Sequence, residues 1–187
     1  MILPIVVYGS PILKKRATDI NSDFENLAEL IQNMWQTMYQ ASGIGLAAPQ
    51  INQSIRLFIV DTLQMKDRIK DEPDFSGIKK AFINPVITEE IGNEWKYEEG
   101  CLSIPGIREN VERKPEITIT YQDEQFNTIT EKYKGLNARV IQHEYDHIEG
   151  VLFTDKVKPL TKKLIQSKLN KIMRGDFKAD YRTKMVK

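Results

Sequence analysis

Cysteine and histidine are scarce in this chain, with one cysteine and two histidines in 187 residues. A single cysteine cannot close an intramolecular disulfide, which excludes the stapled secreted class and fits a reducing compartment. Long hydrophobic runs are also missing. The longest clean ones are a few residues, such as Leu-Phe-Ile-Val at 57–60, far short of the ~18 that cross a bilayer. The apolar stretch 1–9 lacks a basic n-region and is broken at Pro4, so it reads as neither signal nor transit peptide. The expectation is a cytoplasmic protein without a membrane segment. There are no repeats, low-complexity tracts or Pro/Gly/Ser linkers, and a prior of about 150 residues per domain predicts one domain over residues 1–187.

Net charge is lacking too: 27 Lys and Arg oppose 26 Asp and Glu, giving +1 with 41% hydrophobic residues, an ordinary globular composition. The balance hides a division. From residue 156 onward there are 11 basic and 2 acidic residues, +9, while the first 155 hold 16 basic and 24 acidic, −8. Two readings fit the basic stretch: a solvated helix face, or a contact with an anionic partner, nucleic acid included.

Ser22-Asp23-Phe24-Glu25 has the form of a capping box. Phe24, Leu27, Ile31, Met34 and Met38 then repeat at helical spacing until Ser42-Gly43, which predicts an N-terminal scaffold helix. Strands are predicted at 56–61, at 81–88 with Pro85 marking an edge or bulge, and at 116–122. In the last, Ile117, Ile119 and Tyr121 alternate with threonines, the period of a half-buried strand. A turn at 123–125 leads into a further strand at 127–133. The polar stretch 64–80 reads as a long, mobile surface excursion. Helices are predicted at 136–149, between Gly135 and Gly150, and at 160–174. In the latter, Leu160, Leu164, Ile165, Leu169, Ile172 and Met173 form one apolar face before Gly175. Strands in the middle and helices at the ends, without βαβ alternation, predict an α+β fold: antiparallel sheets around a central helix, flanked by an N-terminal and a C-terminal helix.

The central helix contains His143-Glu144-Tyr145-Asp146-His147. Residues four apart share a helix face, so both imidazoles can reach one divalent ion while Glu144 stands beside the open position. Two histidines are one ligand short of a catalytic site. Downstream the chain offers no histidine, only Asp155, Asp176 and Asp180, which weakens a conventional protease reading. Upstream, Cys101 lies in Glu98-Glu99-Gly100-Cys101-Leu102-Ser103-Ile104-Pro105. It can be a buried small hydrophobe or, as a thiolate, the third ligand. A third segment, Gly43-Ile44-Gly45-Leu46-Ala47-Ala48-Pro49-Gln50, lacks the Lys-Ser/Thr of a phosphate loop. Its small residues permit close backbone approach, and Gln50 can donate to a developing oxyanion.

Segments 43–50, 99–103 and 142–147, in that order and at compatible separations, resemble the three motifs of the peptide deformylase family. The resemblance implies a monomeric metallohydrolase that removes the N-formyl group from the first methionine of a new polypeptide. It also implies one divalent metal held by Cys101, His143 and His147. That metal would be iron(II) foremost, with Ni(2+), Co(2+) or Zn(2+) as substitutes. Glu144 would be base and then acid, and Gln50 and the Leu102 backbone N–H would be oxyanion donors. The peptide would pair along Ile44, Gly45 and Gly100, its methionine side chain among Ile44, Tyr97, Leu136 and Val140. Arg113 either braces Glu99 or stands exposed. The segment 176–187 and the 64–80 excursion look longer than in compact members and are expected to touch no site residue. The +9 segment would dock on the ribosome. Two alternatives remain at this point: a metal-dependent endopeptidase, and a non-enzymatic ribosome-binding module with a structural metal.

Overall fold

The computed structural model describes residues 1–66, 69 and 75–186. In chain order the elements are β1 (Ile5–Val6), α1 (Leu27–Gln40), β2 (Gly45–Ala47), β3 (Leu57–Asp61), β4 (Lys79–Ile91), β5 (Trp95–Cys101), β6 (Ile104–Arg113), β7 (Glu116–Gln122), β8 (Thr128–Lys134), α2 (Gly135–Ile148), α3 (Phe153–Lys156), α4 (Pro159–Met173) and β9 (Thr183–Lys184). Single 3-10 turns lie at Pro11–Lys14, Ala48–Ile51 and Leu63–Met65.

Five strands form an antiparallel sheet in the order β2-β3-β4-β7-β8, and β5 and β6 form a separate antiparallel hairpin. In β7 the alternation predicted from sequence holds: Ile117, Ile119 and Tyr121 are buried and the residues between them are half-buried. Pro85 sits at an irregularity of β4, between Ile83 and Val86, where its missing N–H costs no ladder bond. The sheet packs on α2, in which eleven residues are buried, so the helix carrying the two histidines is a central one.

Three apolar clusters make up the core, and the second contains α2 itself. The first joins α1 to β2 and β3, with Met34, Met38, Leu46 and Ile59. The second joins the sheet to α2 through Phe58, Phe82, Leu136 and Ile141. The third joins β1 and β6 to α3 and α4 through Val6, Val111, Phe153 and Leu169. Leu102 packs against the first, Ile44 and Tyr97 against the second, and Cys101 against the third. The cysteine turn thus sits between the first and third clusters.

Several expectations are corrected. Helix α1 starts at Leu27 rather than at a Ser22 capping box. Asn21 accepts hydrogen bonds there from the backbone N–H of Asp23 through its side chain and of Phe24 through its carbonyl, a local turn that competes with helix entry. In α4 only part of the predicted face is covered. Ile165, Leu169 and Ile172 are buried, each worth about 1.5–3 kcal/mol, but Leu160 and Leu164 are more than two-thirds exposed and Met173 is half exposed. The neighbouring surface ends before reaching them. The α+β fold with antiparallel sheets around a central helix is as expected, and a two-residue strand beyond α4, β9, adds a parallel pairing with β1. Of the 64–80 stretch, residues 67, 68 and 70–74 lie outside the described ones, as does 187 at the end of the basic segment. The described ends are tied down: Thr62 and Ile78 exchange hydrogen bonds, and Asn137 donates to the Ser76 carbonyl at 2.9 Å. Among the described residues no helix is long and apolar enough to cross a membrane.

Candidate metal centre and active site

Helix α2 presents His143 and His147 one turn apart, with ring centroids separated by 5.2 Å. Opposite them, β5 ends at Cys101. The turn Leu102-Ser103 closes the hairpin, and a bulge at Pro105–Ile107 in β6 shifts its register between the Gly100–Arg108 and Cys101–Ile104 pairs. A bulge at that point re-aims the strand end. Cys101 Sγ lies 3.2 Å from His147 Nε2, and one donor atom from each of Cys101, His143 and His147 lies within 4.8 Å of the others. A thiol and two imidazoles converging this closely fit a single borderline or soft divalent cation. His143 Nδ1 is engaged by Glu99 Oε2 at 2.9 Å, which leaves Nε2 for the centre.

Glu99, adjacent to the cysteine turn, holds the site together. Arg113 makes a two-pronged pair with it, at 2.6 and 2.9 Å, and reaches Asp146 of α2 at 2.7 Å. Arg139, one turn before His143, adds a bond to Glu99 at 2.9 Å and others to the Val111 and Trp95 carbonyls. All three side chains are almost wholly buried. Burial would push Glu99 up, but the hydrogen bonds from Arg113 outweigh it and hold the carboxyl well below the usual range. Of the two readings of Arg113, bracing Glu99 is the one found. Arg139 and Asp146 were not legible as site residues from the motifs alone. The usable signal for Arg139 was an arginine four residues before His143 on the same helix face.

Glu144 is 4% exposed and its Oε2 has no hydrogen-bond partner. Burial pushes its carboxyl up to about 7, so the group can take or give a proton near neutral pH. Burial likewise holds His147 well below the ordinary imidazole value, the neutral state a ligand needs. For His143 burial acts in the same direction, but the Cys101 sulfur and Glu99 hold it well above that value. Strand β2 passes close by, and a Cβ built on Gly45 would stand 2.7 Å from both Cγ and Cδ of Glu144. The small residue at 45 is therefore a requirement of close approach.

Gln50 accepts the Ala47 N–H through Oε1 at 2.8 Å, which turns Nε2 toward Cys101 Sγ at 3.5 Å and Ser103 Oγ at 3.2 Å. An amide locked in this way presents a fixed donor beside the centre. A cavity of about 610 Å³ opens in front of these groups. Ile44, Gly45, Tyr97, Gly100, Leu136 and Val140, the six positions expected to hold the peptide, all line it, as do Gln50, Cys101, Leu102, His143 and Glu144. One expectation fails here: the segment 176–187 does touch the site, and from the 64–80 excursion Met65 lines the cavity as well. Residues 178–181 line the cavity, and the Tyr181 hydroxyl donates to the Leu102 carbonyl at 2.7 Å. Nothing in the sequence pattern pairs positions 79 residues apart.

Three convergent N and S donors, a buried carboxyl poised near neutrality and a fixed amide donor, set in an α+β frame, define the class: a metal-dependent hydrolase. Comparison with known proteins narrows it. The family model for polypeptide deformylase matches residues 2–163. The peptide deformylase of Christiangramia forsetii is 54% identical over 97% of this chain and 95% of its own, and that of Flavobacterium psychrophilum is 55% identical over 100% and 98%. Among solved structures, the peptide deformylase from Thermus thermophilus superposes with a TM-score of 0.81 at 34% identity, covering 94% of this chain and 99% of its own. The chain belongs to the peptide deformylase family. It is a hydrolase that removes the formyl group from the N-terminal methionine of new polypeptides, and the endopeptidase and binding-module alternatives fall away.

Proposed function

We propose that Cys101, His143 and His147 hold the metal, that it is iron(II) in the native enzyme, and that Ni(2+), Co(2+) or Zn(2+) can replace it. The donor set supports this, since thiolate and imidazole together suit these ions. When bound, the ion supplies Lewis acidity to water and to the formyl carbonyl. The observation that carries the reading is the buried, unpartnered Glu144 carboxyl beside the three donors.

In this reading Glu144 takes a proton from the attacking water and then delivers it to the leaving amine nitrogen, which releases formate. Gln50 Nε2, oriented by Ala47, and the Leu102 N–H donate to the oxyanion as it develops. Losing one such donor typically costs ~3 kcal/mol of barrier. The peptide adds as a strand along Ile44 and Gly45, at the start of the edge strand β2 of the five-stranded sheet, and along Gly100. Ile44, Tyr97, Leu136 and Val140 form the apolar wall for the methionine side chain.

The reading extends to the whole chain. Residues 1–187 act as one catalytic domain, a monomer in the cytoplasm, whose basic segment approaches the ribosome through Lys162, Lys163, Lys168 and Lys171. The first experiment is anaerobic purification with metal analysis, followed by a formyl-Met-peptide assay of the natural enzyme and Glu144→Ala. Metal retained with a loss of at least 100-fold in kcat is expected, within the range for a lost acid–base group. Full activity in the variant refutes the assigned role.

A further inference from the structure

The segment after α4 is built into the active site through Tyr181. Its ring packs against the α1 cluster, and its hydroxyl donates to the Leu102 carbonyl at 2.7 Å. The backbone carrying it is anchored on the far side. The Ile5 N–H donates to the Arg182 carbonyl at 2.8 Å, Val7 to Lys184 at 3.1 Å, and the Val186 N–H to the Ser10 hydroxyl at 3.0 Å. Phe177, Met185 and Val186 pack against the third apolar cluster. Tyr181 is therefore held by parallel strand pairing and by apolar contacts, and the family match, which ends at residue 163, does not reach it.

Its target is a two-residue turn with a demanding task. Leu102 follows Cys101 directly, so a small rotation of the turn moves both the sulfur and the Leu102 N–H. The Ser103 side of the turn is pinned three times. The Ser103 N–H donates to Cys101 Sγ at 3.4 Å, the Tyr8 N–H donates to the Ser103 carbonyl at 2.8 Å, and Gln50 donates to Ser103 Oγ at 3.2 Å. The Leu102 carbonyl is the other end of the peptide unit that carries the Ser103 N–H, and the Tyr181 hydroxyl holds that end.

We propose that Tyr181 is a positioning residue for deformylation: by holding the Leu102 carbonyl it fixes the Leu102–Ser103 peptide and so restricts the turn that carries the Leu102 N–H, which couples docking of the β9 segment to oxyanion stabilisation. This rests on the reading of Leu102 N–H and Gln50 as the oxyanion donors. The geometric logic is that of any preorganised donor, whose value falls when it must be ordered during the reaction.

The test compares Tyr181→Phe, Gln50→Ala and the natural enzyme, metal-loaded and assayed on a formyl-Met dipeptide, with metal content and melting temperature measured alongside. Tyr181→Phe keeps the ring and the strand and removes only the hydroxyl. The expected result is a fall of about tenfold in kcat with KM within about twofold and metal content unchanged. A merely structural role would lower the melting temperature or the metal content and leave kcat per bound metal intact, and that result overturns the proposal. If Gln50→Ala loses kcat while Tyr181→Phe does not, the proposal falls and the oxyanion reading stands. If neither variant loses kcat, the oxyanion reading itself falls.

Discussion

Replacing Gly45 by alanine tests how closely strand β2 and Glu144 are fitted. The added methyl would stand 2.7 Å from Cγ and Cδ of Glu144, whereas ordinary contact begins near 3.4 Å. Glu144 Oε1 is nearer still, so something must move by about 0.7 Å or more. The strand cannot, because Gly45 is paired with Val60 and the two strand residues that follow it, Leu46 and Ala47, are fully buried. The Glu144 carboxyl is the free end of a side chain with an unpartnered oxygen, so it retreats. Misplacing a reacting group by about 1 Å costs on the order of 100-fold in rate. Overpacking costs stability toward the lower end of ~1–3 kcal/mol, because a side-chain end yields rather than backbone. In a chain of this size that lowers the melting temperature by about 2–4 °C. The assay is kcat on a formyl-Met dipeptide with metal-loaded protein, in the natural background and in Glu144→Gln. With the base already gone, Gly45→Ala should add less than about threefold. The reasoning is refuted if Gly45→Ala leaves kcat within threefold of the natural enzyme, or if it costs another 100-fold in the Glu144→Gln background. A rise in KM at constant kcat refutes it differently, by showing that the methyl obstructs the peptide and leaves Glu144 in place.

Two other expectations concern the frame and the surface. Glu99→Gln leaves Arg113 and Arg139 buried beside an uncharged amide, a loss of about 3–5 kcal/mol, measurable by denaturant unfolding. The same carboxyl makes stability pH-dependent. Its folded value is depressed, so its stabilisation is complete above the ordinary carboxylate range and is lost as pH falls through that range toward the lower folded value. Glu99→Gln should therefore flatten the acid limb of the stability curve, and an unchanged limb would show that Glu99 is not the group responsible. Charge reversal at Lys162, Lys163, Lys168 and Lys171 should weaken sedimentation with ribosomes by at least tenfold while hydrolysis of a short formyl-peptide stays within twofold. Equal ribosome affinity would exclude that face as the contact.

What could be read from the sequence divides by the range of the interactions involved. His143, Glu144 and His147 lie within one and a half turns of a single helix, so their spacing alone places them together, and the structure carries them on the most buried helix of the fold. Strand β7 was equally legible because its alternation is local. The hairpin of β5 and β6 was not, since the outward positions Lys96, Glu98 and Arg108 make it read as a polar segment. The exposure of Leu160 and Leu164 follows from where the third cluster ends, which no periodicity in α4 records. At the capping box the sequence pattern is present and loses to Asn21, whose side chain and carbonyl close a turn first.

The contact between Tyr181 and Leu102 marks the far limit of such reading. It depends on β9 lying parallel to β1, which brings the last strand beside the first across nearly the whole chain. It depends as well on the β5–β6 turn projecting toward that pair, which the bulge at Pro105–Ile107 arranges. Neither condition leaves a local trace, and a tyrosine in a basic stretch carries none by composition. Yet the hydrogen bond lies one peptide away from a proposed oxyanion donor and next to a proposed metal ligand. Residues that orient a reactive backbone group act through geometry rather than through their own chemistry. They can come from any part of the chain that the fold brings near, which is why motif reading reaches the reacting groups before it reaches their supports.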